Sequence, residues 1–321
     1  MLDPVASLFL CIAAGFVLRV TNILPQSSGK VMAKLITWVF YPALCFTTMA
    51  KYCTVETLST HAANLTLSVC GVALAMAIAI PLSHLFVRKG GPERGIYAYA
   101  LAFANSAYMG DPLVLALFGD EMLSYYKMYC LPITITIYIW GISVLVPKKE
   151  GKQNPFKKLL NPPMVAMLLG IVAGLTGLGG YMPEFLSATL NSLKSCMGPV
   201  AMLLVGFTVA SYPMREMLNK KGVYVASILR LTAIPAVLIA ALFALKTLAN
   251  LAFGLAIDNT VLFLCFFAVA TPLGLNTVVF PESFGGNPKT GASMALISHT
   301  IGVLSLPLLF ALMTFLFGKV A

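Results

Sequence analysis

The sequence predicts an all-α polytopic membrane protein: ten transmembrane helices in a five-plus-five inverted repeat, with helices 4 and 9 broken. Three observations lead there. Of 321 residues 59% are hydrophobic and only 10% charged, with a mean hydropathy of +0.91; soluble domains carry about 25% charged residues. Cutting at charged or Gly/Pro-rich breaks leaves ten segments near the roughly 20 apolar residues that a bilayer span requires. The fourth and ninth segments carry Asn, Gly and Pro where a lipid-facing helix has Leu and Val.

The spans fall at about 4–22, 31–50, 62–87, 95–118, 126–147, 162–180, 187–211, 222–247, 258–284 and 291–318. The opening run MLDPVASLFLCIAAGFVLRV has no basic n-region and no small-residue cleavage site, and reads as the first span. The third and ninth spans are long enough to tilt or bend. The seven cysteines form no CxxC pair and sit mostly in apolar runs, as small hydrophobes do. No disulfide framework, metal cluster or cofactor is expected.

The basic residues orient the spans. Arg19, Lys30, Lys34, Arg88, Lys89, Arg94, Lys148, Lys149, Lys152, Lys157, Lys158, Arg215, Lys220, Lys221 and Lys289 follow odd-numbered spans. Lys51, Lys127, Lys194, Lys246 and Lys319 lie on the other side, and Arg230 falls within span 8. The positive-inside rule then places the odd-numbered loops in the cytoplasm and both termini outside. The net charge of +10 thus records topology, and no nucleic-acid partner is expected.

The longest polar connection, 148–161, separates a first repeat at 1–147 from a second at 162–321. Five is odd, so two copies of one unit have opposite orientations, as in many secondary transporters. Span 2 carries Pro42 and span 7 carries Pro199. Span 4 reads Asn105, Pro112, Phe118-Gly119 and span 9 reads Asn276, Pro281, Phe284-Gly285, with unequal spacings.

The breaks carry the chemistry. In FANSAYMGDPLVLALFG, Gly110 permits a turn, Asp111 suits an N-cap and Pro112 a first helical residue. The first half-helix is expected to end near 107–110 and the second to start at Pro112. In ATPLGLNTVVFPESFG the break is expected at Pro272, with Asn276 and Thr277 a turn later; an alternative start at Pro281-Glu282 lies near the membrane edge. If the two broken spans cross, two half-helix N-termini face one point at mid-membrane. Each brings about half a positive charge and free N–H donors, which suits a carboxylate.

The candidate substrate-binding residues are therefore Asn105, Gly110, Asp111, Pro112, Pro272, Asn276 and Thr277. Tyr138, in the Thr/Tyr-rich run ITITIYIW, is added as a cavity-lining candidate. Asp111 is open to three roles: plain N-cap, protonatable coupling residue, or ligand for a cation such as sodium. Arg230 can snorkel to the cytoplasmic surface or pair with an acid or the substrate. His299 can titrate near neutral pH or sit buried and hydrogen-bonded. Asp111, His299 and Arg230 are the coupling candidates, with proton or sodium as the ion. Lys194, near an outer end, reads as solvated. The run LLGIVAGLTGLGG has the small-xxx-small spacing of close helix packing.

With these residues in view, the sequence resembles the auxin efflux carrier family, which includes plant PIN-type and bacterial malonate-type transporters. NSAYMGDPLVLALFG is similar to the family's span-4 pattern, RLTAIP to its span-8 segment and TPLGLNTVVFPESFG to its span-9 run. FYPALCF and NPPMVAMLLG resemble its span-2 and span-6 motifs, so the likeness covers nearly the whole chain. The resemblance implies the ten-helix inverted repeat with termini outside. It implies a scaffold of spans 1, 2, 6 and 7, often a homodimer, and a mobile unit of spans 3–5 and 8–10 in which helices 4 and 9 cross. It further implies elevator-like transport of an organic anion. Bile-acid sodium symporters share the fold class, so sodium coupling is open. Asp111 departs from the family, which commonly has an apolar residue there, and so does Pro281, where Ala is frequent.

No HExxH, GxSxG, intramembrane paired-Asp or Walker A motif is present, so neither an intramembrane enzyme nor an ATP-driven pump is expected. The reading is a secondary transporter or facilitator in the plasma (inner) membrane, in contact with lipid. The alternatives are a sodium-coupled symporter of the same fold and a non-transporting membrane receptor or sensor.

Overall fold

The computed structural model describes residues 2–145, 160–211, 221–254, 257–284, 287 and 289–318. The 148–161 linker, apart from its last two residues, lies outside them, as do Arg215, Lys220, Gly285 and Lys319. The described chain is helical almost throughout. Its helices are α1 (Leu2–Val20), α2 (Ser28–Leu35), α3 (Tyr41–Tyr52), α4 (Leu58–Ser83), α5 (Pro92–Ala102), α6 (Asp111–Thr136) and α7 (Ile142–Leu145). After the linker come α8 (Pro162–Leu175), α9 (Glu184–Ala210), α10 (Lys221–Leu231), α11 (Ala233–Phe253), α12 (Thr260–Ala270), α13 (Asn276–Phe284) and α14 (Lys289–Phe317).

Six helical stretches among the described residues are long and apolar enough to cross a membrane: Ser28–Tyr52, Leu58–Ser83, Ser106–Leu145, Glu184–Ala210, Lys221–Ala252 and Lys289–Phe317. Shorter apolar helices at Phe9–Val20, Pro162–Leu175 and Thr260–Ala270 join them. Large apolar side chains are exposed on the helix surfaces. α14 buries its first turns and exposes Leu304, Leu308, Leu312, Phe315 and Leu316, a pattern that suits hydrocarbon as solvent.

The chain divides into two compact units. Unit 1 is Met1–Ala62, Ala107–Met128 and Phe156–Tyr212. Within it α1 packs on α9, and α8 on α3. Glycines let these backbones approach: Gly15 and Gly206 face the carbonyls of Leu203 and Ile12. Gly170 and Gly174, from the small-xxx-small run, face Phe46 and Met49, where a Cβ would come within 2.7 Å and 2.6 Å of their carbonyl oxygens.

Two prolines in this unit follow a widened turn. A π-type turn at Ile36–Phe40 precedes Tyr41-Pro42, and another at Ser106–Gly110 runs into Asp111-Pro112. Proline has no N–H and its ring crowds the preceding turn, so a local widening accommodates it. Farther on, α6 is sharply interrupted at Gly119 (φ 79°, ψ −172°), a backbone region essentially reserved for glycine.

Unit 2 is Ala63–Ser106, Tyr129–Pro155 and Pro213–Ala321. α10 packs against α5, α11 and α14, and α13 against α14 and α7. Here both expected interruptions are seen, one displaced. The first half of span 4 ends at Ala102, not at 107–110: Phe103 is already extended (φ −122°, ψ 130°). Span 9 stops at Ala270 and resumes at Asn276.

Candidate functional site

The two unwound segments of unit 2 pair with each other. Ala104 and Leu273 form an antiparallel bridge, and the Asn105 backbone N–H donates to the Pro272 carbonyl at 2.7 Å. This explains why span 4 unwinds where the sequence has neither Gly nor Pro. Backbone groups released inside a membrane must find protein partners, and the facing segment supplies them. Two glycines permit the contact. Gly274 lies against the Ala104 carbonyl, 3.0 Å from where a Cβ would stand, and Gly302 lies against the Pro272 ring, at 2.6 Å.

Around this crossover stands a set of buried and part-buried polar side chains. Asn105 is 2% exposed, and its Nδ2 lies 3.5 Å from His299 Nε2. His299 Nδ1 lies 2.7 Å from the Ala295 carbonyl. A carbonyl only accepts, so Nδ1 carries the proton and Nε2 is left to accept from the Asn105 amide. Asn276 opens α13, and its Nδ2 donates to Tyr99 Oη at 3.0 Å. Thr277 Oγ1 donates to the Gly274 carbonyl at 3.1 Å, and Ser298 Oγ accepts from Leu273 N–H at 3.2 Å. Tyr138 packs on Phe280, ring centroids 5.9 Å apart. The crossover thus gathers Asn105, Pro272, Asn276, Thr277 and His299. Tyr99 and Ser298 escaped the sequence reading, because pairings 177 and 25 residues apart leave no local signal.

Gly110, Asp111 and Pro112 belong to unit 1. Asp111 does not cap a helix start: the turn Ser106–Gly110 runs helically into it. Its carboxylate is instead half of a buried ion pair. Lys127 Nζ donates to Asp111 Oδ2 at 2.5 Å and to Tyr41 Oη at 2.6 Å, and Asp111 and Lys127 are 1% and 4% exposed. Asp111 Oδ1 has no partner. The two residues stand eight positions either side of Gly119, where the helix breaks. In an unbroken helix they would be about 24 Å apart. The break at Gly119 is what lets Lys127 reach back to Asp111. Lys194 is not solvated either: its ammonium pairs with Asp120, the residue after Gly119.

Arg230 does not snorkel. It is 1% exposed, in the last turn of α10. No group of three or more His, Cys, Asp or Glu suited to a metal occurs among the described residues.

An all-helical apolar chain with a polar crossover between two unwound segments has the form of a membrane carrier, and comparison with known proteins decides the family. The model of a family described as "Membrane transport protein" matches residues 1–310. The chain belongs to this family, the auxin efflux carriers. It is 22% identical over 314 residues to an uncharacterized transporter of Methanocaldococcus jannaschii, covering 96% of this chain and 97% of that protein. It is 24% identical over 212 residues to an uncharacterized transporter of Methanothermobacter thermautotrophicus, covering 64% and 67%. Membership of the auxin efflux carriers makes the protein an integral membrane transporter.

Proposed function

We propose that this auxin efflux carrier family member is a secondary transporter or facilitator of a small organic anion, a carboxylate, bound at the crossover in unit 2. The observation that carries the reading is the bridge between the two unwound segments. It sets Asn105 against the unwound segment that leads into α13, whose N-terminal end carries about half a positive charge even though the Thr277 and Val278 N–H groups donate to the Gly274 and Leu275 carbonyls. Neutral donors plus a helix dipole favour an anion without requiring a buried lysine. His299 acts as a positioning residue that fixes the Asn105 amide, not as the coupling group.

Transport is by elevator-type alternating access, with the unit that holds the crossover as the moving part. The ten-helix inverted repeat, termini outside, plasma (inner) membrane location and homodimer belong to the same reading. Asp111 is the coupling candidate. Its Oδ2 is held by Lys127 and its Oδ1 is buried without a partner, so its charge changes only in concert with the lysine. A proton fits this pair better than sodium, because an ammonium already occupies the position where a metal ion would bind the carboxylate. The reading is tested by thermal stabilisation of the purified protein by small carboxylates at about pH 5.5 and about pH 7.5, with and without sodium. A carboxylate effect that varies with pH in the wild type and not in Asp111→Asn supports it. Stabilisation by sodium that Asp111→Asn abolishes favours the symporter instead, and no response to any carboxylate overturns the anion reading.

A further inference from the structure

One buried charge has no counterpart among the described residues. The Nε, Nη1 and Nη2 atoms of Arg230 all lack a hydrogen-bond partner, although the residue is 1% exposed. Ser227 lies three residues earlier, on the same helical face. It is 3% exposed, and its Oγ is also unpartnered. A guanidinium cannot shed its proton in a protein, and a buried ion without a partner is strongly destabilising.

Among the described residues, the elements packed on α10 do not supply the missing anion. α10 packs on α5, α11 and α14. α11 and α14 contain no Asp or Glu, and α5 contains one, Glu93, in its first turn. Glu93 Oε1 accepts from Thr290 Oγ1 at 3.4 Å. Gly222 faces Tyr97 Oη, 3.2 Å from where a Cβ would stand, and Arg230 is eight residues beyond Gly222, about 12 Å farther along the α10 axis.

We propose that Arg230 and Ser227 form a second anion site, inside unit 2, that takes a small carboxylate. The planar guanidinium fork matches a carboxylate bidentately, and the serine hydroxyl adds a third donor. The carboxylate is either the transported acid or a resident counter-ion. The site stands on its own residues and does not depend on Asn105 and Asn276 binding substrate.

The test is the melting temperature of the detergent-purified full chain, titrated with sodium acetate, malonate, chloride and sulfate at fixed pH and ionic strength. Wild type, Arg230→Lys, Arg230→Gln, Ser227→Ala, Glu282→Gln and Asn105→Ala are compared. Saturable stabilisation of the wild type by acetate or malonate is expected. It should be reduced in Arg230→Lys, lost in Arg230→Gln, and shifted at least threefold in half-saturation in Ser227→Ala; the last readout serves if Arg230→Gln does not fold. Uptake of labelled malonate or acetate into proteoliposomes then separates the two sources: loss in Arg230→Gln marks the transported acid, retention a resident ion. The proposal is overturned by carboxylate stabilisation that persists in Arg230→Gln, by a response to chloride and sulfate only, by no response in the wild type, or by a carboxylate response that appears only in Glu282→Gln, which would mark a pair within the chain. Loss in Asn105→Ala with retention in Arg230→Gln would overturn this site and leave the crossover reading standing.

Discussion

Asp111 shows how one residue's meaning depends on a partner that local sequence does not reveal. Next to Pro112 it has the grammar of a helix cap, yet its carboxylate pairs with Lys127. Removing one member of a buried pair leaves the other uncompensated. Lys127→Met is expected to lower stability by about 3–5 kcal/mol, and Asp111→Asn combined with Lys127→Met to recover most of that. Thermal or denaturant unfolding of the two single variants and the double variant checks it; additive losses would mean that the pair does not act as one. His299 gives a second residue-scale prediction. His299→Ala removes the acceptor for the Asn105 amide, a neutral hydrogen bond worth about 1 kcal/mol. Carboxylate affinity should therefore fall by about fivefold without loss of fold, which the half-saturation of thermal stabilisation measures. The sequence made the identities of Asn105, Asn276, Thr277 and His299 legible, because polar residues in apolar spans stand out. It did not make their partners legible. Asn105 and His299 are 194 residues apart, and Lys127 reaches Asp111 only because the helix breaks between them.

At the scale of elements, the breaks are the informative feature. Span 9 unwinds at 271–275, as its Pro272 and Gly274 suggest. Span 4 unwinds directly after Ala102, earlier than Gly110 and Pro112 suggest, because a facing strand-like segment and not a local residue type satisfies its backbone. Proline and glycine mark where a helix can open; tertiary pairing decides where it does. Gly119 and Gly302 test two such elements. At Gly119 no neighbour meets an added Cβ, so Gly119→Ala registers backbone strain alone, on the order of 1–3 kcal/mol. It should loosen the Asp111–Lys127 pair, seen as a lower melting temperature that Lys127→Met no longer lowers additively. Gly302→Ala drives a methyl group into the Pro272 ring. It should weaken carboxylate stabilisation more than it lowers melting temperature, whereas an equal effect on both would make Gly302 a packing residue only.

For the whole molecule, composition and charge placement carried the class of protein, and the six long apolar helices among the described residues, with their exposed apolar side chains, agree with it. Family membership over residues 1–310 makes it a membrane transporter. The central claim is narrower: the paired unwound segments of unit 2 form the binding site of a transported carboxylate. Its most direct measurement is uptake of a panel of labelled small carboxylates, malonate and acetate included, into proteoliposomes holding wild type, Asn105→Ala or Asn276→Ala at matched reconstitution. The account predicts saturable uptake of at least one acid by the wild type and near-background uptake by both variants, with melting temperatures little changed. Wild-type uptake retained in both asparagine variants would contradict it.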